Sequence, residues 1–444
     1  MMRRVNPPAV GVLFLSALFI GFASVSAHHE PAARHLDSWF TKGTGRHVAS
    51  LPSFRAQLQA RGEQDQVGAE GNRRDGQRLF ERETFGGNGR TCLTCHSRET
   101  GTVSPQDARQ RFQQDPNDAL FVHDGSDDED GDGIGDGRHV TRILKDATIL
   151  MRIPLHPNVT LKDAPEQRFV TVRRGIPTTL NTPALDPVLM LDGRQPTLED
   201  QALGAIRDHA QSHLVIGAKA LERIADFQLT ERFFSSPVIE RFARGGPAPG
   251  LPVGNTESEK RGRTFFEDRP PEPPNFKLGL CSACHSGPML NQTNQFLPLA
   301  VPPGTRFQTV LVSEFNAAGN PPIRFVFHNQ AHDVGDANQD GIIEVTSPDP
   351  GRALITGRAD DFFPFPPGSF DHLNAFKISP LRGISRTAPY FHDNSAKTLE
   401  DVAEHYRQFF LIVTDVDGPG PNPPLVQLTE QDKTDIVAFL KLLD

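Results

Sequence analysis

The chain has 444 residues, of which 37% are hydrophobic and 23% charged, with a formal net charge of −9. That is length enough for two or three domains with real cores. A mean hydropathy of −0.41 excludes a multi-span membrane protein, and the charge and composition argue against a nucleic-acid binder or a disordered chain.

In chain order, the first 27 residues predict a secretory signal. Arg3 and Arg4 precede an apolar stretch from about Val10 to Ala23, and Val25-Ser26-Ala27 is a small-residue cleavage site. The alternative is an uncleaved anchor, for which the apolar run is short of the roughly 20 residues of a span. No later segment is apolar enough to cross a bilayer, so we expect an exported chain, in a bacterial periplasm, without stable membrane insertion. Residues 28–70 are polar and read as an N-terminal extension, which holds the single tryptophan, Trp39.

Asp75-Gly76-Gln77-Arg78-Leu79-Phe80 predicts the start of a helix leading to Cys92-Leu93-Thr94-Cys95-His96. The layout recurs at Arg261-Gly262-Arg263-Thr264-Phe265-Phe266 before Cys281-Ser282-Ala283-Cys284-His285. The two motifs use all 4 cysteines and match the attachment pattern of c-type haem. Two thiols separated by two residues reach the two vinyl groups of one porphyrin. The adjacent histidine then ligates iron from the proximal side. A redox Cys-x-x-Cys pair or a zinc site is the competing reading, but neither needs a histidine directly after each pair. The expectation is two covalently bound c-type haems and no disulfide scaffold.

Two acidic stretches look like calcium loops. One is Asp124 to Asp136. The other runs from Asp336, with oxygens also at Asn338, Asp340 and Glu344 and a glycine at Gly341. It departs from the pattern at Ser347, where a glutamate is usual. A solvated acidic loop is the bland alternative for both.

Helices are predicted from Thr197 to about Leu214, from Thr398 to about Leu411 and from Thr429 to Leu443, each opened by a threonine cap. The Pro- and Gly-rich stretch around Gly245–Pro252 predicts a boundary. The resulting division is an N-terminal haem domain over 71–244, a linker at 245–255 and a C-terminal haem domain over 256–444. With 38 Pro and 38 Gly, the fold expected is mainly α: two cytochrome c-like haem domains with long loops and little β structure.

From about Asp75 onward the chain resembles the bacterial di-haem cytochrome c peroxidase and MauG superfamily. The resemblance rests on the two haem motifs and on Gly89-Arg90-Thr91. It also rests on Arg174-Gly175-Ile176-Pro177-Thr178-Thr179-Leu180-Asn181, on Asp192-Gly193-Arg194 with Leu198-Glu199-Asp200-Gln201-Ala202, and on Phe376–Arg382 through Thr387–Asp393 to Thr398-Leu399-Glu400. It implies a peroxide or dioxygen site at the N-terminal haem. A C-terminal haem would relay electrons from a small redox protein, a cytochrome c or cupredoxin, or act with it on a protein or organic substrate.

The resemblance also locates residues. The axial position of the second haem falls on Tyr406, with His405 as the alternative. No Met follows Met289, so a thioether ligand is disfavoured. A phenolate ligand would favour the ferric state. The distal Gln and Glu of the family fall on Gln201 and Gln211. An amide cannot take a proton as a carboxylate can, which leaves Asp208, His209 and His213 as substitutes, with His209 and His213 predicted on one helix face. The interhaem Trp is replaced by Leu191, and the Pro after the distal Gln by Ala205. No removable distal histidine stands in its usual loop; His139 and His156 are the upstream candidates for a sixth ligand. Thr387 and Pro389 match two carbonyl donors of an interdomain calcium, and Gly175 stands at the place of the third, an Asn. A haem-dependent oxygenase of an organic substrate, suggested by the lost Glu and by 31 Phe, and a non-catalytic electron-transfer cytochrome are the rival functions.

Overall fold

A computed structural model of the chain describes residues 66–122, 138–270, 276–297, 304–316, 320–330, 340–359, 372–413 and 426–443. The signal segment, Trp39, the acidic loop at 124–136, Asp336 and Asn338 lie outside the described residues, as does the side chain of His139.

Helices dominate. The principal ones are α1 (Gln66–Glu81), α2 (Leu198–Asp208), α3 (Ala218–Gln228), α4 (Glu257–Arg263), α5 (Leu399–Val413) and α6 (Glu430–Leu440). The predicted caps are in place. Thr197 and Thr398 accept from the Asp200 and Asp401 amides, and Thr429 forms a reciprocal capping box with Asp432. Two boundaries differ from expectation. The first helix reaches back to Gln66, into the predicted extension.

α2 stops at Asp208 instead of Leu214. There the chain turns to bond the loop after α1: the Asn88 amide N–H donates to the Ala210 carbonyl at 2.8 Å, and the Ser212 hydroxyl donates to the Phe85 carbonyl at 2.7 Å. Gln211 takes a left-handed φ of 53°, which no helix continues.

The weak repeat in the sequence becomes a repeated helix crossing. A Cβ on Gly76 would stand 2.1 Å from the Arg223 carbonyl oxygen of α3, and one on Gly262 would stand 1.9 Å from the Asp435 carbonyl oxygen of α6. Only glycine lets the backbones approach so closely. Four residues after each glycine a phenylalanine meets another: Phe80 with Phe227 at 5.6 Å and Phe266 with Phe439 at 5.1 Å between ring centroids. Each crossing carries its own apolar cluster, around Leu79, Ile206 and Ile224 in one unit and Leu290, Val437 and Leu443 in the other.

Sheet is modest but more structural than expected. β1 (Thr148–Pro154), β2 (Val159–Leu161), β3 (Phe169–Gly175), β4 (Phe307–Gln308), β5 (Ile323–Phe327), β6 (Ile343–Ser347) and β7 (Phe376–Lys377) form three small sheets. β1 pairs antiparallel with β3, from Thr148 opposite Gly175 to Pro154 opposite Phe169. β2 pairs with β5, so a strand from before the linker bonds one from after it. A third core joins Val103, Ile153 and Val170 to Phe325, Phe327 and Leu354. The two-domain division by sequence position is therefore crossed by the segment carrying β5 and β6. β1 escaped sequence reading because five of its seven side chains are buried, leaving no alternation to read.

Ala substitution at Gly76 or Gly262 should lower stability by about 1–3 kcal/mol, the usual range for overpacking. Gly71→Ala in the same α1, with nothing within 4 Å of its Cβ, should hold or raise the melting temperature. Equal melting temperatures for all three would refute the crossing.

Candidate haem site

Both motifs open into one cavity of about 500 Å³, lined by Cys92, Cys95 and His96 and also by Cys281, Cys284, His285 and Tyr406. None of the cysteines forms a disulfide. Burial, reinforced by the partner cysteine, pushes the Cys92 and Cys281 thiols up to about 12. A redox pair needs the opposite shift. Among the described residues no three His, Cys, Asp or Glu side chains gather as a metal site, so the two cysteine pairs do not share a zinc ion.

The two histidines are held alike. Nδ1 of His96 lies 2.8 Å from the Gly101 carbonyl, and Nδ1 of His285 lies 2.9 Å from the Leu290 carbonyl, five residues on in each case. A carbonyl only accepts, so Nδ1 carries the proton and Nε2 keeps its lone pair. Burial lowers the pKa of both rings, that of His285 to about 4. Neutral imidazoles with oriented Nε2 atoms beside two thiols are the donor set a c-type haem requires.

Each histidine turn is clasped by one of the stretches that carry the sequence resemblance. Gly101 also accepts from the Thr179 amide at 3.0 Å, Thr178 donates to the Thr100 carbonyl at 2.6 Å and Thr102 to the Ile176 carbonyl at 2.6 Å. In the second unit the Leu381 amide donates to the Met289 carbonyl at 3.1 Å, and Arg382 Nε donates to the Pro288 carbonyl at 3.1 Å. Met289 itself packs with Leu185, Ile239 and Phe242.

Tyr406 and His405 diverge. Tyr406 lines the cavity, and burial with Cys284 and Cys281 nearby raises its pKa. Among the described residues its hydroxyl makes no hydrogen bond. His405 is turned aside: its Nε2 lies 2.7 Å from the Val310 carbonyl, and its ring packs on Phe391 at 4.5 Å. The other tyrosine, Tyr390, donates its hydroxyl to the Ile384 carbonyl at 2.9 Å. A phenolate at Tyr406 is disfavoured by burial alone and would need a cation beside it.

Of the distal candidates, Gln201, Asp208 and His209 line the cavity, and so do Leu191 and Ala205. His209 is near enough to His96 to lower its pKa electrostatically. Gln211 is a correction. It lies beyond the end of α2, and its Oε1 accepts from the Asn88 side chain at 3.3 Å, outside the cavity lining. His213 is exposed and shares no helix face with His209, because the helix has ended. His156 does not line the cavity: it packs against Gly357, and its Nδ1 accepts from the Asn158 amide at 3.1 Å. Sequence reading missed Met151, Met190 and Glu83, which also line the cavity; no motif spacing marks them.

Beside the cavity lies a buried ion cluster. Arg174 bonds Asp192 at 2.5 Å and Asp349 at 2.7 Å, and Arg194 bonds Asp192 at 2.8 Å. Burial would raise the Asp192 pKa, but Arg174 and Arg194 outweigh it and hold the carboxyl at about 2. For calcium, Thr387 and Pro389 line the cavity as expected, but Gly175 brings no side chain. The Asn394 amide group fills its place, with Oδ1 2.0 Å from where a Cβ would be. Of the second loop, Asp340 is described; its Oδ1 accepts from the Ile342 amide at 2.9 Å. No described helix is long and apolar enough to cross a membrane.

No family model matches the sequence, and no curated protein matches it. Among solved structures, the chain is similar to a MauG-like protein associated with microbial copper homeostasis, at 19% identity and a TM-score of 0.41, over 84% of this chain and 88% of that one. It is similar to the hydrazine synthase of Kuenenia stuttgartiensis, at 17% identity and a TM-score of 0.39, over 94% and 96% of the two chains. It is also similar to the di-haem peroxidase BthA of Burkholderia thailandensis, at 16% identity and a TM-score of 0.38, over 84% and 86%.

Two measurements test this geometry. Tyr406→Phe should change the spectrum and EPR signals of one ferric haem, while His405→Gln leaves them in place; the reverse pattern would refute Tyr406 as the ligand. Acid should act through Asp192. Its depressed pKa contributes stability above the ordinary value near 3.8, lost as the pH falls toward 2. The contribution, about 2 kcal/mol, should show as a falling melting temperature between pH 4 and pH 2 that flattens in Asp192→Asn.

Proposed function

We propose that the chain is an exported di-haem c-type oxidoreductase of the cytochrome c peroxidase/MauG type. It reacts with hydrogen peroxide or dioxygen at the haem of His96 and shares oxidising equivalents with a haem held by His285 and Tyr406. The observation that carries this reading is the pair of Cys-x-x-Cys-His motifs facing one cavity, each histidine held with Nε2 bare. The bound haems supply the electron-transfer chemistry, and reduction of peroxide to two waters consumes two electrons and two protons. The electrons come from a small redox protein, a cytochrome c or cupredoxin.

The chain's own residues handle the protons and the oxidant. The Gln201 amide can orient a bound oxygen species by hydrogen bonding. The His209 imidazole is the cavity-lining base that replaces the missing carboxylate. Asn88 and Arg90 hold its main chain through the His209 carbonyl, at 3.0 and 3.3 Å.

Hydrogen peroxide added to the diferric protein should shift or bleach both Soret bands. His209→Ala should slow that reaction by about 10²-fold, the usual size of a general-base contribution. Gln211→Ala should change it little. A Soret spectrum unmoved by peroxide would sink the proposal.

A second reading, oxygenation of an apolar substrate, draws on Leu214 and Val215, which are 59% and 97% exposed. Leu214 packs on Gly86, next to the cavity-lining Phe85. Oxygen uptake coupled to cleavage of a hydrophobic substrate would favour it.

A further inference from the structure

Three of the cations lining the cavity have carboxylate partners. Arg174 has Asp192 and Asp349, Arg194 has Asp192, and Lys377 has Asp186. Arg382 differs. It is 9% exposed, and it lines the same cavity. Its Nε donates to the Pro288 carbonyl at 3.1 Å, and its Nη2 to the carbonyls of Pro249 and Gly250 at 3.2 and 2.9 Å. Among the described residues no carboxylate pairs with it, and Nη1 makes no hydrogen bond.

A guanidinium stays charged at any pH a protein meets. Peptide carbonyls satisfy some of its N–H groups but supply no net charge, and a buried cation without an anion is costly. The open Nη1 side of the fork suits a carboxylate above other acceptors. Its location narrows the source. Pro288 belongs to the turn that ends in Leu290, whose carbonyl holds His285, and the neighbouring Leu381 bonds that turn at Met289. The fork is therefore anchored on the proximal turn of the second motif.

We propose that Arg382 binds a carboxylate, and that this carboxylate is a propionate of the haem attached at Cys281 and Cys284. This rests on the di-haem reading. Arg382 is then a positioning residue: it seats the second haem and places one positive charge beside it, which favours the ferrous state. It also ties that haem to the linker through Pro249 and Gly250, so the linker senses whether the haem is seated.

The test uses purified holoprotein and spectroelectrochemical titration of both haems. Arg382→Gln should shift the Fe(III)/Fe(II) balance of the second haem about tenfold toward ferric, which is 59 mV for a one-electron couple, and leave the first haem unmoved. Arg382→Lys, which keeps the charge, should shift it less than threefold but move the propionate bending band in resonance Raman spectra. That band also decides the matter if Arg382→Gln yields no holoprotein. Unmoved potentials, equal shifts at both haems or an unmoved Raman band would overturn the assignment. So would a saturable shift of the wild-type second haem by added acetate, lost in Arg382→Gln, because the fork would then be open to an external carboxylate. A haem assay finding no covalent haem would overturn the di-haem reading itself and this inference with it.

Discussion

The Arg174 guanidinium is the interaction on which the arrangement depends. It is 2% exposed and joins β3 to the Asp192 turn on one side and to Asp349 on the other. These partners come from both sides of the linker. The next residue, Gly175, donates its amide to the His392 carbonyl at 2.7 Å, which draws in the C-terminal stretch. Removing one member of such a cluster leaves uncompensated buried charge, at about 3–5 kcal/mol. From this knot the chain runs on to Ile176, Thr178 and Thr179, which hold the turn behind His96. The register of the first histidine thus follows from an ion cluster beside it.

Around that knot the molecule uses one device twice. A glycine in the first helix of each unit lets a later helix cross at near contact, and a phenylalanine pair closes the crossing. A carbonyl five residues after each histidine selects its tautomer, and a distant stretch clasps the turn. The proximal halves of the two sites are therefore equivalent. Their opposite faces are not: one offers Gln201 and His209 to the cavity, the other a tyrosine set among Phe391, Phe409 and Phe410. Equivalent histidine turns with unlike opposite faces are the physical basis for proposing different work at the two motifs.

The candidate site was legible in proportion to how local its chemistry is. Two thiols and a histidine at fixed short spacing state their purpose without a fold. The family resemblance placed Tyr406, and scarcity supported it, since the chain holds 2 Tyr and no Met beyond Met289. The choice between Tyr406 and His405 was not, because adjacent helical residues point in different directions, and only packing against Val310 and Phe391 decides which one turns away. Gln211 failed for a related reason. Its position was counted along a helix, and the helix ends three residues earlier, where Asn88 and Phe85 offer the backbone other partners.

By itself the sequence determined the covalent logic: paired thiols with their histidines, threonine-capped helices, and the two Gly-to-Phe spacings that anticipate the crossings. These depend on bonds and contacts within a few residues, which the sequence displays directly. The tertiary structure alone decided that β5 returns to pair with β2, that both motifs share one cavity, that Arg174 is neutralised from both sides of the linker and that, among the described residues, Arg382 has no carboxylate partner. These join residues far apart in the sequence, Arg174 and Asp349 at 175 positions among them, with no spacing rule between them. Burial and charge balance are properties of what surrounds a side chain, and those surroundings exist only once the chain has folded.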